Sequence, residues 1–383
     1  LKIKERVIAA INLKTVDKIP TSFRASNYLS ESLMRYFGIE QPEDFGKNYK
    51  TLLGKMGADF WSSGSKIDKF STFIPKFNGP LPELPYIDDG TMFYTIGIRS
   101  KMGNMPKYDI KYPNVGIDPP LAAIDSPLEL KKGFLTSKLD LFDFNQMQSK
   151  YNLGEIDIKD AEYISNNLIC MGTLSNLFMI CCYLRGMENF LMDMAFNKSL
   201  AEHIVGEVGE FCLEFNKREL SVFGDQADYY GTWDDVAGQN GMMFSPEIFK
   251  KYFLPLYKQM ISNVKKYKLF FGWHCCGSIH DIMPCMIDAG IDVFDVVQTS
   301  ARDMNLENIY KLYGKSVCIH GGMDIQKLLV ESTKKEIEEE VKKVINLWGD
   351  RGGVILAPSH ETLPDTPIEN ILTIYEVINN HFA

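Results

Sequence analysis

No apolar stretch in this chain is long enough to span a bilayer, and positive charge is in deficit. Lysine and arginine together number 41 against 50 aspartates and glutamates, giving a formal net charge of -9 and a pI near 5.3. That balance argues against a nucleic-acid or anionic-membrane surface, because both need clustered positive charge. The lysine-rich stretches 311–315 and 332–343 are short or interleaved with glutamate and read as solvated helix faces. Cysteine lacks the spaced pattern of a disulfide-stapled secreted domain: the eight include two adjacent pairs, Cys181-Cys182 and Cys275-Cys276. Residues 1–6 are rich in charge, and the apolar run after them is broken by Asn12, Lys14 and Asp17, so no signal peptide is expected. A reducing cytoplasm is the expected compartment.

With 383 residues, 45% of them hydrophobic and 24% charged, the chain can bury a large core as one big α/β domain or two smaller ones. Short apolar segments alternate with longer amphipathic ones, the pattern of parallel strands joined by crossover helices. Eight strands are predicted, at 19–25, 58–62, 168–173, 227–233, 269–274, 293–298, 316–320 and 354–357. Helices at 188–223, 245–266, 279–289, 306–313 and 333–348 separate most of them. Ser245-Pro246-Glu247 supplies an N-cap with proline at the first helical position, and Gly290 and Gly314 stand where C-cap glycines end helices. Eight such units predict a single (β/α)8 TIM-type barrel domain over 1–383. One interval, about 66–161, does not fit the repeat. It holds a turn signal at Asp88-Asp89-Gly90, a β-favouring run at 91–98 and several prolines and glycines in 106–120. A hairpin-containing insertion, lying as a lid over the carboxyl-terminal face, is expected there.

The densest chemical signal is 269–278, a short apolar run ending in His274, Cys275 and Cys276. Alternate side chains of a strand share a face, so His274 and Cys276 point one way and Cys275 the other. An imidazole and a thiolate so placed can hold one zinc; the competing reading is a buried histidine beside two inert cysteines. Active sites of barrels collect at the carboxyl ends of the strands, which makes position informative. Five consecutive predicted strands end in polar residues: Trp233-Asp234-Asp235 with Gln239 following, His274-Cys275-Cys276, Gln298-Thr299, His320-Gly321-Gly322-Met323-Asp324, and Ser359-His360-Glu361. Solvent contact at strand ends accounts for the aspartates and Gln298. It accounts less well for three of the chain's six histidines and a cysteine pair at one rim.

In their order and spacing, His274-Cys275-Cys276-Gly277, Gly321-Gly322-Met323-Asp324, Trp233-Asp234-Asp235 through Ser245-Pro246-Glu247, and 352–360 resemble the uroporphyrinogen decarboxylase superfamily. Asp17-Lys18-Ile19-Pro20 and Gly57-Ala58-Asp59 add a weaker likeness near the start. The superfamily includes zinc-dependent methyltransferases that act with corrinoid proteins and thiols, and its members are typically cytoplasmic barrels. For the methyltransferases, the resemblance implies a His-x-Cys motif on strand five and a cysteine at the end of strand eight. These hold a zinc that lowers the pKa of a thiol, which then attacks a methyl group as thiolate. His274 and Cys276 match the first part. His360 stands where the third ligand is expected, and a His2Cys site with one open position is chemically sound. For the decarboxylases, which need no metal, the resemblance implies an arginine-rich segment after strand one that grips carboxylates, and an aspartate that holds pyrrole NH groups. The corresponding stretch, 23–28, carries one arginine, Arg24. His360, on the other hand, is what the decarboxylases have, and Asp59 stands as either the pyrrole-binding or a structural aspartate.

The resulting expectation is metal-dependent methyl transfer involving a corrinoid cofactor or corrinoid protein and a small-molecule methyl donor or thiol acceptor. His274, Cys276 and His360 are the expected metal ligands, with Cys275 on the wrong face. Asp235 and His360 are assigned catalytic roles, and Asp234, Gln239, Trp273, Gln298 and Asp324 substrate binding. An acidic pair at a strand end can bind a cationic or hydroxylated substrate, orient a ligand histidine or act as a base; Asp235 can equally cap the following helix. Tyr230, Trp233 and Trp273 form an apolar or cation–π wall, or simply pack. Zinc and a partner-borne corrinoid are the expected cofactors, neither nucleic acid nor membrane is an expected partner, and the reading admits a homodimer. A metal-independent decarboxylase and a non-catalytic small-molecule-binding barrel are the alternatives.

Overall fold

Parallel strands covered on both faces need apolar residues at successive positions. Cys318–Met323 and Val354–Pro358 obey this along their whole length, every residue being buried. A computed structural model describes residues 1–39, 45–59, 75–79, 96–105, 107, 110–145, 168, 170–172 and 175–383. Numbered along the chain, its strands are β1 (Lys76–Phe77), β2 (Arg99–Met105), β3 (Ile110–Ile117), β4 (Phe142–Asp143), β5 (Cys170–Met171), β6 (Tyr229–Trp233), β7 (Ala237–Gly238), β8 (Gly241–Met242), β9 (Phe270–His274), β10 (Val293–Val297), β11 (Cys318–Met323) and β12 (Val354–Pro358). β5, β6, β9, β10, β11 and β12 form one parallel six-stranded sheet in chain order.

The segment expected as strand one lies beside β12, through parallel bridges from Thr21 to Leu356 and from Ala25 to Thr362. Next to it, the Asp59 amide donates to the Thr21 carbonyl at 3.1 Å; residues 60–62 of the expected second strand lie outside the described residues. The architecture is therefore α/β around a parallel sheet whose strand order follows the sequence.

Alternation sorts the side chains of this sheet into two sets. Tyr229, Phe270, Val293, Cys318 and Ile355 form one apolar cluster with Val7 and Ile11 of helix α1 (Ile3–Ile11), which therefore packs near the amino ends of the strands. The side chains of opposite parity, among them Tyr230, Phe271, Trp273, Phe294 and Ile319, belong to the larger core shared with the helices. Gly272 is small for a reason: a Cβ there would collide with the Tyr229 hydroxyl. Charges near α1 are paired off. Arg6 binds both Asp17 and Asp59 at 2.7 Å, and Lys18 lies 3.2 Å from Asp59.

The helices depart from expectation mainly at breaks. The predicted 188–223 helix is two, Met187–Phe196 and Lys198–Phe223, separated by Asn197 in a non-helical conformation. The predicted 245–266 helix breaks at Phe253 into Pro246–Tyr252 and Leu254–Lys266, because Pro255 in the first turn of the second piece has no amide hydrogen to continue the ladder. Ser245 caps the first piece by accepting a hydrogen bond from the Ile248 amide. Gly290 ends Met283–Ala289 in the left-handed conformation, at φ 98°, as expected of a C-cap glycine, whereas Gly314 after Leu306–Tyr313 stays right-handed at φ -62°. Helices Leu177–Arg185 and Ile368–His381 were not singled out by pattern.

Within 66–161, the turn at 88–90 and most of the 91–98 run lie outside the described residues. The hairpin that is described pairs β2 with β3 and begins at Arg99, later than expected. Lys107, between its strands, bonds Asp365 at 2.7 Å. No described helix is long and apolar enough to cross a membrane. All eight cysteines are free thiols.

Candidate metal centre

β9 ends at His274, and the chain then turns through Cys275, Cys276 and Gly277. Gly277 takes φ 87°, and a Cβ on it would lie 2.6 Å from the Gly238 carbonyl oxygen, so only glycine lets the backbone pass this close to β7. Two side chains from neighbouring strand ends pin the turn. Asp235 Oδ1 accepts from the Cys276 amide at 2.9 Å, and Gln298 Oε1 accepts from the Gly277 amide at 2.9 Å.

This turn brings the three expected ligands together. One donor atom each from His274, Cys276 and His360 lies within 4.8 Å of the other two, and no other such cluster occurs among the described residues. Cys276 Sγ is 3.4 Å from His274 Nε2, and the two imidazole rings meet edge to face with centroids 6.0 Å apart. Donors bound to one tetrahedral zinc at about 2.0–2.3 Å stand roughly 3.3–3.8 Å from each other. The Cys276–His274 pair already has this spacing, His360 lies within 4.8 Å of both, and two imidazoles with a thiolate are a donor set zinc accepts. The residues present fit the metal.

The electrostatics separate the two histidines of this cluster. His274 Nδ1 lies 3.0 Å from Asp295 Oδ2. Burial alone would lower the His274 pKa, but the charge and hydrogen bond of Asp295, helped by Cys276, carry it up to about 10. A metal bound through Nε2 of His274 would therefore displace a proton. His360 goes the other way: burial first, then the positive charges of Arg24 and His274, bring it down to about 4, so it is neutral with a free lone pair at pH 7. Asp295 is held below the ordinary carboxylate range, since the two histidines beside it outweigh the cost of burial. The second of these, His320, approaches Asp295 Oδ1 to 2.9 Å, close enough for strong attraction though off the line of a regular N–H···O bond.

Other residues selected from the sequence are committed elsewhere. Asp234 is fully buried, and its carboxylate accepts from the Phe178 and Met179 amides at 2.8 Å and from the Tyr257 hydroxyl at 2.6 Å, capping the helix Leu177–Arg185. Burial lifts its pKa to about 7 against the pull of those three bonds. Trp273 has the opposite parity to His274 and packs among Phe249, Tyr257 and Phe294, so it lies in the core and not beside the ligands. Tyr230 likewise points away and donates to Glu219. Of the proposed aromatic wall, only Trp233 is exposed, at 41%. Asp324 accepts from the amides of Gln326, Lys327 and Leu328 and so caps a turn. Gln239 is exposed on the β7–β8 turn, where its carbonyl accepts from the Arg302 amide. Cys275 is buried on the face opposite the ligands, and burial pushes its thiol well up. Asp59 spends its carboxylate on Arg6, Lys18 and the Thr21 amide, near α1.

Sequence reasoning missed Asp295. The signal was present, since a lone carboxylate at an inward position of the apolar run 293–297 requires a buried partner. Glu361, next to His360 at the same strand end, was given no role; burial raises its pKa.

A model of the uroporphyrinogen decarboxylase (URO-D) family matches residues 138–381, well over half of the chain. The chain is 24% identical over 246 residues to Methylcobamide:CoM methyltransferase MtbA of Methanosarcina acetivorans, covering 64% of this chain and 67% of that one. It is 22% identical over 176 residues to Uroporphyrinogen decarboxylase of Carboxydothermus hydrogenoformans, 46% of each chain. Among solved structures, a methyltransferase from Methanosarcina mazei superposes over the full length of both chains with a TM-score of 0.65 at 18% identity, a likeness of fold. The chain belongs to the uroporphyrinogen decarboxylase family, and within it resembles the methyltransferases.

Proposed function

We propose that this protein is a zinc-dependent methyltransferase in which His274, Cys276 and His360 hold the metal, and that it works with a corrinoid carried by a partner protein and a small thiol or methyl donor. The observation that carries the reading is the convergence of those three donors within 4.8 Å at the ends of β9 and β12. The names of the relatives support the same chemistry, since MtbA is a methyltransferase of methylcobamide and CoM. Held by His274, Cys276 and His360, a zinc would supply Lewis acidity that lowers the pKa of a bound thiol, which would then react as thiolate near neutral pH.

The chain's own residues supply the frame for that chemistry. Asp295 holds His274 through Nδ1, which leaves Nε2 on the Cys276 side. Asp235 and Gln298 fix the turn that carries the Cys276 thiol. Asp235 borders His360 electrostatically, which keeps it the candidate for moving a proton at the site. Trp233 and Gln239 would meet a substrate or partner in this reading, which their exposure on the β6–β8 rim supports.

The sheet, in this reading, closes into a (β/α)8 barrel with 66–161 as a lid over its carboxyl-terminal face. The side-by-side order of the 19–25 segment, β12 and the five strands before it supports closure, and the Lys107–Asp365 ion pair, which ties the hairpin to the segment after β12, supports the lid. Decarboxylation of a porphyrinogen is the weaker account. Asp59 is occupied by cations near α1, and Arg24 alone cannot balance several carboxylates in a low-dielectric pocket.

The test is a paired substitution in anaerobically purified protein. Cys276→Ser should lose most bound zinc and nearly all methyl transfer to thiol, because a hydroxyl is a far weaker zinc ligand than a thiolate. Cys275→Ser should keep its zinc and lose only stability. Undiminished zinc in the Cys276 variant would reject the site.

A further inference from the structure

We propose that His320, braced by Ser22, is a positioning residue for the metal centre: it holds Asp295 so that His274 presents Nε2 to the metal. The inference rests on the metal reading above and adds residues from two further elements to it.

The geometry is a chain of four side chains across the interior of the sheet. Asp295 is the register partner of His274 on β9 and of His320 on β11, so the three lie side by side on one face. Ser22, in the segment beyond β12, completes the row with Oγ 2.5 Å from His320 Nε2. Ser22 is itself fixed at both backbone groups. Its amide donates to the Leu356 carbonyl at 3.0 Å, and its carbonyl accepts from the Tyr375 hydroxyl at 3.0 Å. Ser22 and His320 are both nearly inaccessible to solvent.

Chemistry gives the chain a direction. An ionised carboxylate only accepts hydrogen bonds, and the nitrogen each imidazole brings to Asp295 is Nδ1, at 3.0 Å from His274 and 2.9 Å from His320, so Nδ1 is the favoured place for the proton on both rings. With Nδ1 of His320 turned to Asp295, Nε2 faces the Ser22 hydroxyl, a group able to donate to it. The same rule leaves the neutral His274 with its lone pair on Nε2, the nitrogen beside the Cys276 thiol. Without His320, Oδ1 of Asp295 would be buried with nothing opposite it, and the carboxylate would be free to turn about a broad torsion. Without Ser22, His320 would lose the partner that fixes which nitrogen carries its proton. Stability does not account for the row, since apolar residues of similar volume would fill the space without desolvating a carboxylate.

The experiment measures metal affinity and ligand field directly. Wild-type protein and the variants His320→Leu, His320→Gln and Ser22→Ala are stripped of metal, titrated with zinc against a chromophoric chelator, and loaded with cobalt(II) for absorption spectra. Melting curves of the metal-free proteins are recorded alongside. His320→Leu should weaken zinc binding about 10–100-fold and shift the cobalt bands. His320→Gln, whose amide N–H can replace Nδ1–H, should recover most of the affinity, and Ser22→Ala should lose a few-fold. Wild-type affinity and an unchanged cobalt spectrum in His320→Leu would overturn the proposal, as would a glutamine variant no better than the leucine one. If His320→Leu does not fold, Ser22→Ala decides, and wild-type affinity and spectrum in that variant count against the proposal. Wild-type protein that takes up neither metal would sink the metal reading, and this inference with it; wild-type uptake with indifferent variants sinks this inference alone.

Discussion

The two ends of the parallel sheet are built from the same repeating elements and treat charge in opposite ways. Near α1, Arg6, Asp17, Lys18 and Asp59 neutralise one another, and Lys4 binds Asp228 at 2.6 Å. At the other end, two imidazoles and a thiol come together, one donor atom of each within 4.8 Å of the others. Arg24 beside them makes no ion pair among the described residues, the Ser359 hydroxyl is buried without a partner among them, and Trp233 stands exposed at the rim. One end is closed by ion pairs and an apolar cap, and its substitution should cost stability. The other keeps polar valences open, and its substitution should cost metal and chemistry. That division is the one the proposed barrel would show, with function collected where the strands end.

The sharpest way to break the comparison is to cut one charge at each end. Asp59→Ala leaves Arg6 and Lys18 partly buried without their shared partner and should destabilise the fold by about 3–5 kcal/mol in urea denaturation. Zinc per folded chain should not change. His360→Ala should do the reverse, lowering zinc affinity by on the order of 100-fold or more in a chelator competition while shifting the metal-free melting curve little. If His360→Ala unfolds the protein and Asp59→Ala strips its metal, the assignment of the two ends is inverted.

Smaller effects sharpen the picture. Arg6 bonds hold Asp17 well below the usual carboxylate range, against the opposing effect of burial. A carboxylate with a depressed folded pKa contributes stability above its unfolded value of about 3.9 and loses it as the pH falls below that value. Asp17→Asn should therefore be less stable than wild type at pH 7, and the gap should narrow below about pH 4. Asp17 is half exposed, so solvent screening limits the gap to about 1 kcal/mol. Trp233→Ala should change stability by no more than about 0.5 kcal/mol. A KM for thiol or corrinoid protein that rises in that variant at constant melting temperature would tie the rim to binding.

How much of this was legible in the sequence depended on whether one strand sufficed to see it. The order of the sheet was legible because doubly covered parallel strands must be apolar at nearly every position, as β11 and β12 are. The pairing of His274 with Cys276 followed from alternation within one segment. The same alternation places Trp273 on the other face, and its expected role in substrate binding ignored that parity. Asp234 and Asp235 could not be told apart, because their roles are set by the amides of Phe178, Met179 and Cys276, which reach them from other segments. Asp295 escaped for the same reason, and His320 was marked only as a strand-end histidine: what joins them lies in the register between strands, which no single run of residues records. The helix breaks at Asn197 and Phe253 and the late start of the β2–β3 hairpin were local competitions that periodicity does not resolve.

X-ray absorption of anaerobically purified protein would read out a metal held by two histidines and one cysteine without recourse to activity. The account predicts about one zinc per chain, with two nitrogen and one sulfur neighbours and a light atom or a thiol in the fourth position. Protein that carries no stoichiometric metal, or a zinc whose neighbours include no sulfur, would contradict it.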